Sequence, residues 1–426
     1  MSTLTRSEAR ALEAIDEQAA VATLTDLLTI PSVSGSDEES EIQHVLAGRL
    51  RDLDLDVDLW SMDLPALAQS ADFPGTEVLR SEAWGLVGTS RGDSADPALV
   101  LQGHVDVVPA GDLDNWAGAP FTPIVEADRV TARGACDMKA GVAANIAAVA
   151  AIRKSGVAIR DTFALHFVIG EEDGGLGAFG TLDRGHTGQA CIITEPTSGT
   201  IITANAGALT FTIEVPGLAT HASTSYAGSS AIDSYIAIHE ALRRLQERRN
   251  RRVEPLMQEY SIAYPISIGR LRAGDWSSSV PDLLIAEGRM GLRIEEEPAE
   301  ARAELEGLIA AVSDRDEFLR DHRPKVTWSG GQFAGGHLQP GHPLLDMISD
   351  AHADATRTSR PRERGAPYGS DLRLYQARDI PTLHYGPGDV RLAHGPYESV
   401  PVSELLAVTR ALVLTLLRSC GTDSAS

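Results

Sequence analysis

The chain has 426 residues, 43% of them hydrophobic and 23% charged, enough apolar material for a large core or two domains. With 37 basic and 60 acidic side chains the net charge is −23, which opposes binding to nucleic acid or to anionic membranes through bulk electrostatics. Three scattered cysteines, Cys136, Cys191 and Cys420, make no disulfide framework, so a reducing compartment is expected.

The first ten residues carry no apolar signal segment, and a cytoplasmic location is the expectation. Helical periodicity covers Ala19–Leu28 and Glu39–Leu53, the second opened by Ser36-Asp37-Glu38 as a capping signal. Val57–Trp60, Trp84–Val87 and Leu99–Leu101 read as strands. The last of these leads into Gly103-His104-Val105-Asp106. On a strand, residues two apart share a side, so His104 and Asp106 would project together at its end. Imidazoles that bind metals have their second nitrogen fixed by a carboxylate or carbonyl, and Asp106 is placed to supply one.

Arg133-Gly134-Ala135-Cys136-Asp137-Met138-Lys139 then opens an Ala-rich helix expected over Met138–Ser155. Taken alone, Asp137 reads as a helix N-cap; the N–H groups there favour an anion. The small-apolar run Ala140–Ile152 is too short to span a bilayer and reads as a buried helix. Strand Thr162–Ile169 delivers Gly170-Glu171-Glu172-Asp173-Gly174-Gly175. Three adjacent acids repel unless they are solvated or cations sit among them. Glu195 closes the apolar strand Cys191–Thr194, where a carboxylate should be paired or metal-bound. Strands alternating with helices indicate an α/β sheet with its site at the strands' carboxyl ends.

Near Ala206 the texture changes. Strand Leu209–Val215, helix Ala231–Arg252, strands Ile262–Ile268 and Leu284–Ile294, helix Ala299–Val312 and strand Lys325–Trp328 give the order β-α-β-β-α-β of a split βαβ sandwich. The α/β character returns through Leu344–Asp354, Leu383–Tyr385 and a last helix, Glu404–Leu417. His394 lies in the Gly/Pro loop Arg391–Pro396. The simplest reading is one domain, residues 1–206 and 331–426, interrupted by a smaller inserted domain, 207–330.

Two motif matches are set aside. Gly175, Gly177 and Gly180 fit the dinucleotide fingerprint G-x-G-x-x-G, but Glu171, Glu172 and Asp173 would repel a pyrophosphate. Gly88-Thr89-Ser90-Arg91-Gly92 fits the nucleophile elbow G-x-S-x-G, yet a strand rather than a helix follows, so a hairpin turn is expected.

Taken in order, these segments resemble the M20 metallopeptidases and deacylases, in the branch of acetylornithine deacetylase and succinyl-diaminopimelate desuccinylase. The resemblance rests on His104-x-Asp106, Asn115-Trp116 with Ala119-Pro120-Phe121, Arg133 to Lys139, Glu171-Glu172, Glu195-Pro196-Thr197, Gly217 to Gly228, Gly369-Ser370-Asp371 with Arg373, and Ala393-His394. It implies a mixed-sheet, zinc-exopeptidase-like α/β catalytic domain with an inserted ferredoxin-like α+β dimerisation domain. It implies two divalent metal ions, by family default Zn²⁺, with Co²⁺ or Mn²⁺ also suited to the donor set. His104 and Glu195 would hold one ion, Glu172 and His394 the other, with Asp137 bridging and the Asp137–Met138 peptide cis. Asp106 would orient His104, and Glu171 would be the general base. His221 would reach the site of a partner subunit, which implies a homodimer. Arg293 would meet a substrate carboxylate, or alternatively pair with Glu295–Glu297, and Gly369 and Ser370 would offer that carboxylate backbone N–H groups. The family's Asn in Gly-x-Asn-Ala-Ile is Ser here, in Gly228-Ser229-Ser230-Ala231-Ile232.

The expected function is hydrolysis of an N-acyl amino acid or related small amide. A dipeptidase or carboxypeptidase is the alternative within the family. A metal-binding scaffold without chemistry is the alternative outside it, but a scaffold needs neither Glu171 nor Asp106.

Overall fold

The computed structural model describes residues 4–422. It divides into two compact units. One runs to Thr203 and resumes over His337–Arg364 and from Asp371 onward; the other is Ala204–Gly336 with Gly365–Ser370.

The first unit is built on a mixed sheet. Seven of its strands lie in the order Asp56–Ser61, Trp84–Thr89, Phe163–Val168, Leu99–His104, Cys191–Ile193, Thr382–His384, Ile201–Asn205. Leu99–His104 runs parallel to both Phe163–Val168 and Cys191–Ile193, and Thr382–His384 is parallel to Cys191–Ile193. Their carboxyl ends therefore open on one edge, which is where His104, the 170–175 loop and Glu195 emerge. Leu99–His104 and Phe163–Val168 are buried at every position, as strands covered on both faces must be. One face packs on the helices Glu17–Leu28, Ala140–Ser155 and Val402–Cys420 through Leu24, Leu99, Leu101, Val149 and Leu412. Val100, Ala164 and Val168 face Ala178, Leu372 and Tyr375 on the other. The stretch Ala135–Ser155 is long and apolar enough to cross a bilayer, but 89% of its apolar window is buried in the protein, which marks it as core.

Three local expectations are corrected here. The Gly88–Gly92 segment is not a hairpin: Phe163–Val168 lies between the strands it joins. Ser90 bonds the start of that intervening strand, its N–H to the Phe163 carbonyl and its hydroxyl to the Phe163 N–H. Ser36 occupies the N-cap of helix Asp37–Asp52 but makes no side-chain cap bond. Glu39, the acid three residues on, binds the Gly35 N–H and Arg80 instead. The Ala-rich helix starts at Ala140, not Met138, because Asp137 and Met138 have non-helical backbone angles and a cis peptide joins them.

In the second unit the strands order as Ile266–Ala273, Leu283–Leu292, Gly207–Pro216, Lys325–Phe333, all antiparallel. Helices Ala231–Arg249 and Pro298–Ser313 cover one face through Ile238, Leu242, Leu245, Leu305 and Ile309. That is the ferredoxin-like arrangement. The first helix stops at Arg249 rather than Arg252. Arg249 turns inward, donating to Glu304 and the Gly291 carbonyl and pairing with Glu296. Gly365–Ser370 groups with this unit although it lies in the 331–426 stretch. Tyr260 donates to the Gly365 carbonyl, Asn205 to the Tyr368 carbonyl, and Gly369 lies against the Phe333 ring.

Glycines at the false dinucleotide motif have packing reasons. Gly175 has φ +88°, and a Cβ on Gly177 would lie 2.3 Å from the Ile169 carbonyl oxygen.

Candidate metal centre

His104 ends its strand with the ring buried, 1% exposed. Its Nδ1 lies 3.0 Å from the Asp106 backbone carbonyl and 3.5 Å from that residue's carboxylate. A carbonyl only accepts, so Nδ1 carries a proton and Nε2 is the atom a metal would meet. That nitrogen faces acids: Asp137 Oδ1 at 3.1 Å and Glu195 Oε1 at 3.6 Å. The other Asp137 oxygen lies 3.5 Å from His394 Nε2, which is itself 3.1 Å from Glu172. One carboxylate thus stands between two imidazoles, each with a further glutamate. Asp137 faces these rings and not the helix N–H groups, which corrects the N-cap reading. His394 sits at φ +62° with its side chain half exposed.

Ligand atoms of His104, Glu171 and Glu195 fall within 4.8 Å of one another, and so do those of His104, Asp137 and Glu172. The electrostatics agree with the crowding. Burial opposes charge on His104, yet the Glu195, Asp106 and Asp137 carboxylates hold its imidazole well above the usual histidine range. Hydrogen bonds to Asp137 and Glu172 raise His394 to about 10. Burial, reinforced by neighbouring carboxylates, pushes Glu171 and Glu195 well above the usual carboxylate range and raises Glu172. Asp137 is held low despite burial, by its bonds to both imidazoles. The mostly buried carboxylates Asp137, Glu171, Glu172 and Glu195 outnumber the two imidazoles they surround. Two histidines and three or four carboxylates of this kind fit divalent Zn²⁺, Co²⁺ or Mn²⁺.

Asp106 organises the acids as well as the imidazole. Its two carboxylate oxygens accept the Glu171 and Glu172 N–H groups at 3.2 Å each, and Ser34 donates to it at 2.9 Å. The third acid, Asp173, is not part of the ligand group. It is buried in an ion pair with Arg80 at 2.7 Å, so neither solvent nor a metal is needed to tolerate it.

The sequence reading missed Glu398 and gave Arg133 no role. Both are 1% exposed and pair at 2.5 Å. Glu398 also accepts the N–H groups of Cys136 and Asp137, while Arg133 donates to the carbonyls of Pro109, His394 and Gly395. The pair thereby fixes the backbone on which Asp137 and His394 are mounted. A glutamate four residues after a candidate ligand, and an arginine four before another, were the available signals. Asp371 is also buried, receives a bond from Gln102, and is raised to about 6 by burial. Arg373 donates to the Gly174 carbonyl beside the acid loop.

The remaining predicted residues belong to the second unit. His221 is exposed, with Nδ1 2.7 Å from the Ser223 hydroxyl. Arg293 is 3.9 Å from Glu296, whose bonds go chiefly to Arg249. Ser370 is 2% exposed and Gly369 half-buried.

Residues 100–418 match the sequence profile of Peptidase family M20/M25/M40. The chain belongs to that family. It is accordingly a metal-dependent hydrolase acting on amide C–N bonds. This M20 hydrolase is 28% identical over 408 residues to an N-formyl-4-amino-5-aminomethyl-2-methylpyrimidine deformylase of Bacillus subtilis (strain 168), covering 89% of both chains. It is also 28% identical over 412 residues to a succinyl-diaminopimelate desuccinylase of Gluconacetobacter diazotrophicus, covering 93% of this chain and 96% of the other. Its fold is shared with a Bacillus subtilis protein described as a dinuclear metal binding peptidase from the M20 family. The TM-score is 0.64 at 16% identity, over 96% of this chain and 99% of that one.

Proposed function

We propose that this M20 hydrolase removes a small acyl group, such as formyl, acetyl or succinyl, from an N-acylated amine or amino acid. His104 and Glu195 would hold one divalent ion and Glu172 and His394 a second, with Asp137 shared. The observation that carries the reading is the Asp137 carboxylate with one oxygen toward each imidazole, beside a buried Glu171.

Divalent cations held there supply Lewis acidity toward a carbonyl oxygen and acidify water. Glu171, whose backbone Asp106 fixes, takes a proton from water as the water oxygen bonds to the amide carbon. As the C–N bond breaks, Glu171 passes that proton to the leaving nitrogen. His221 of a neighbouring copy hydrogen-bonds the developing oxyanion, which makes the active form a homodimer. Arg293, Gly369 and Ser370 receive a carboxylate where the substrate carries one. The domain division at 1–206, 207–330 and 331–426 serves the same reading, one part holding the ions and the other the partner contact. A cytoplasmic setting accords with the three free, buried cysteines.

The acyl group is favoured over a peptide because the two relatives named above, at 28% identity, are a deformylase and a desuccinylase. The test is a hydrolysis screen of N-formyl, N-acetyl, N-succinyl and N-carbamoyl amines and amino acids, with dipeptides alongside, in Zn²⁺, Co²⁺ and Mn²⁺. Glu171→Gln should abolish turnover while still binding metal. Near-wild-type turnover in that variant refutes the mechanism, and exclusive cleavage of dipeptides refutes the substrate class.

A further inference from the structure

We infer that Arg80 is a positioning residue for the loop that carries Glu171 and Glu172, and that the segment Pro74–Arg80 is the brace that delivers it. The inference rests on the proposed reading for its functional meaning, not for its geometry. Between helix Leu64–Leu67 and strand Trp84–Thr89 the chain forms no regular element, yet the Arg80 side chain is only 3% exposed. Its guanidinium grips two carboxylates. It meets Asp173 through both Nη atoms, at 2.7 and 2.9 Å, and Glu39 through Nε and Nη2, at 2.7 and 3.0 Å. Such fork-to-carboxylate pairs fix orientation as well as distance.

The brace reaches Asp173 by backbone too. Glu77 and Val78 donate their N–H groups to the Asp173 carboxylate, and Glu77 also lies within bonding distance of its carbonyl. Gly174, at φ +142°, sits where a Cβ would be 2.2 Å from the Gly75 carbonyl oxygen. A Cβ on Gly170 would be 3.0 Å from Arg80 Nη2. Both ends of the acid loop are thus pressed against this segment.

These contacts close a circuit. Glu39 accepts the Gly35 N–H, and the adjacent Ser34 hydroxyl donates to Asp106. Asp106 accepts the N–H groups of Glu171 and Glu172, and the next residue, Asp173, returns to Arg80. Glu171 and Glu172 are therefore held on one side through their amides and on the other through their neighbour. Their backbone is held by protein contacts alone, and the Arg80 guanidinium ties the two arms together through Glu39 and Asp173. Lysine carries the charge but cannot make the paired forks.

The experiment uses the full-length, chelator-treated protein. Co²⁺ affinity is measured by visible absorption against a competing chelator, and backbone hydrogen exchange is followed in peptides spanning 170–176. Arg80→Lys should weaken Co²⁺ binding about 10-fold and Arg80→Gln up to about 100-fold, the range typical for losing a group that orients metal ligands. Exchange at 170–176 should rise in both, with the Phe163–Val168 strand unchanged. Arg184→Gln, which breaks the surface pair with Asp58, should alter neither. If Arg80→Gln does not fold, the charge-conserving Arg80→Lys carries the test. Wild-type Co²⁺ affinity in Arg80→Lys overturns the inference, and so does exchange that rises equally in the strand and the loop. Should the wild type bind no Co²⁺, the proposed function fails, and the exchange comparison alone decides the brace.

Discussion

Glu398→Gln isolates the charge of a buried group without opening a cavity. In the native protein Glu398 shares its two oxygens between the Arg133 guanidinium and the N–H groups of Cys136 and Asp137. A glutamine has one acceptor, so either Arg133 or the two N–H groups must face its NH₂. Removing one partner of a buried ion pair costs about 3–5 kcal/mol. Arg133 keeps the carbonyls of Pro109, His394 and Gly395, so the lower end, about 3 kcal/mol, is expected here. At roughly 1.7 °C per kcal/mol for a unit of this size, the melting temperature should fall by about 5 °C. Thermal and urea unfolding of the metal-free protein measure this directly. A second substitution sharpens the test. Adding Arg133→Met removes the charge left without a counter-ion, so the double variant should be more stable than Glu398→Gln alone. A Glu398→Gln protein within about 1 kcal/mol of wild type would refute the argument. So would a double variant in which the two losses simply add.

Three further outcomes are expected. Gly141→Ala places a Cβ 2.1 Å from the Thr194 carbonyl oxygen, pushing the residue before Glu195; Co²⁺ binding, titrated by absorption, should weaken. Wild-type affinity there would show that the helix can retreat without moving the ligand. His166 is fully buried and its pKa is lowered to about 3, by burial and then by His186. The unfolded state therefore binds the extra proton between about pH 6.5 and 3, so stability is complete above that window and falls as pH drops through it. Between pH 7 and 5 this one group should cost about 2 kcal/mol, which His166→Gln should remove from the pH profile of unfolding. Chelation should lower the melting temperature, because a cation bound only by the folded protein stabilises it and Asp137, Glu172 and Glu195 lie close together; adding back Zn²⁺, Co²⁺ or Mn²⁺ should restore it. An unchanged melting temperature across chelation and reconstitution would count against a resident metal.

Much of the site was legible as residues in order along the chain. Strand ends at Leu99–His104 and Phe163–Val168 could be read from apolar runs, because strands buried on both faces must be apolar throughout. The neighbours that hold the site were not legible, because their signals are single polar residues in irregular segments. Arg80 lies in a stretch with no periodicity, and Glu398 lies just before a three-residue strand. Asp173 looked like a third free acid because its counter-ion is 93 residues away.

Legible in the sequence were the candidate residues His104, Asp137, Glu171, Glu172, Glu195 and His394, and the alternation of elements with its β-α-β-β-α-β insert. Hydrophobic period is a local property and suffices for the elements, whereas the candidates became a ligand set only through the resemblance of the ordered motifs to the M20 family. Only the tertiary structure decided which acids face imidazoles and which are neutralised by arginines. It put Asp137 between His104 and His394, sent Asp173 to Arg80, and tied Cys136 and Asp137 to Glu398. Burial makes an unpaired charge costly, and the partner that satisfies it is chosen by where the sheet edge and its loops converge, not by distance along the chain.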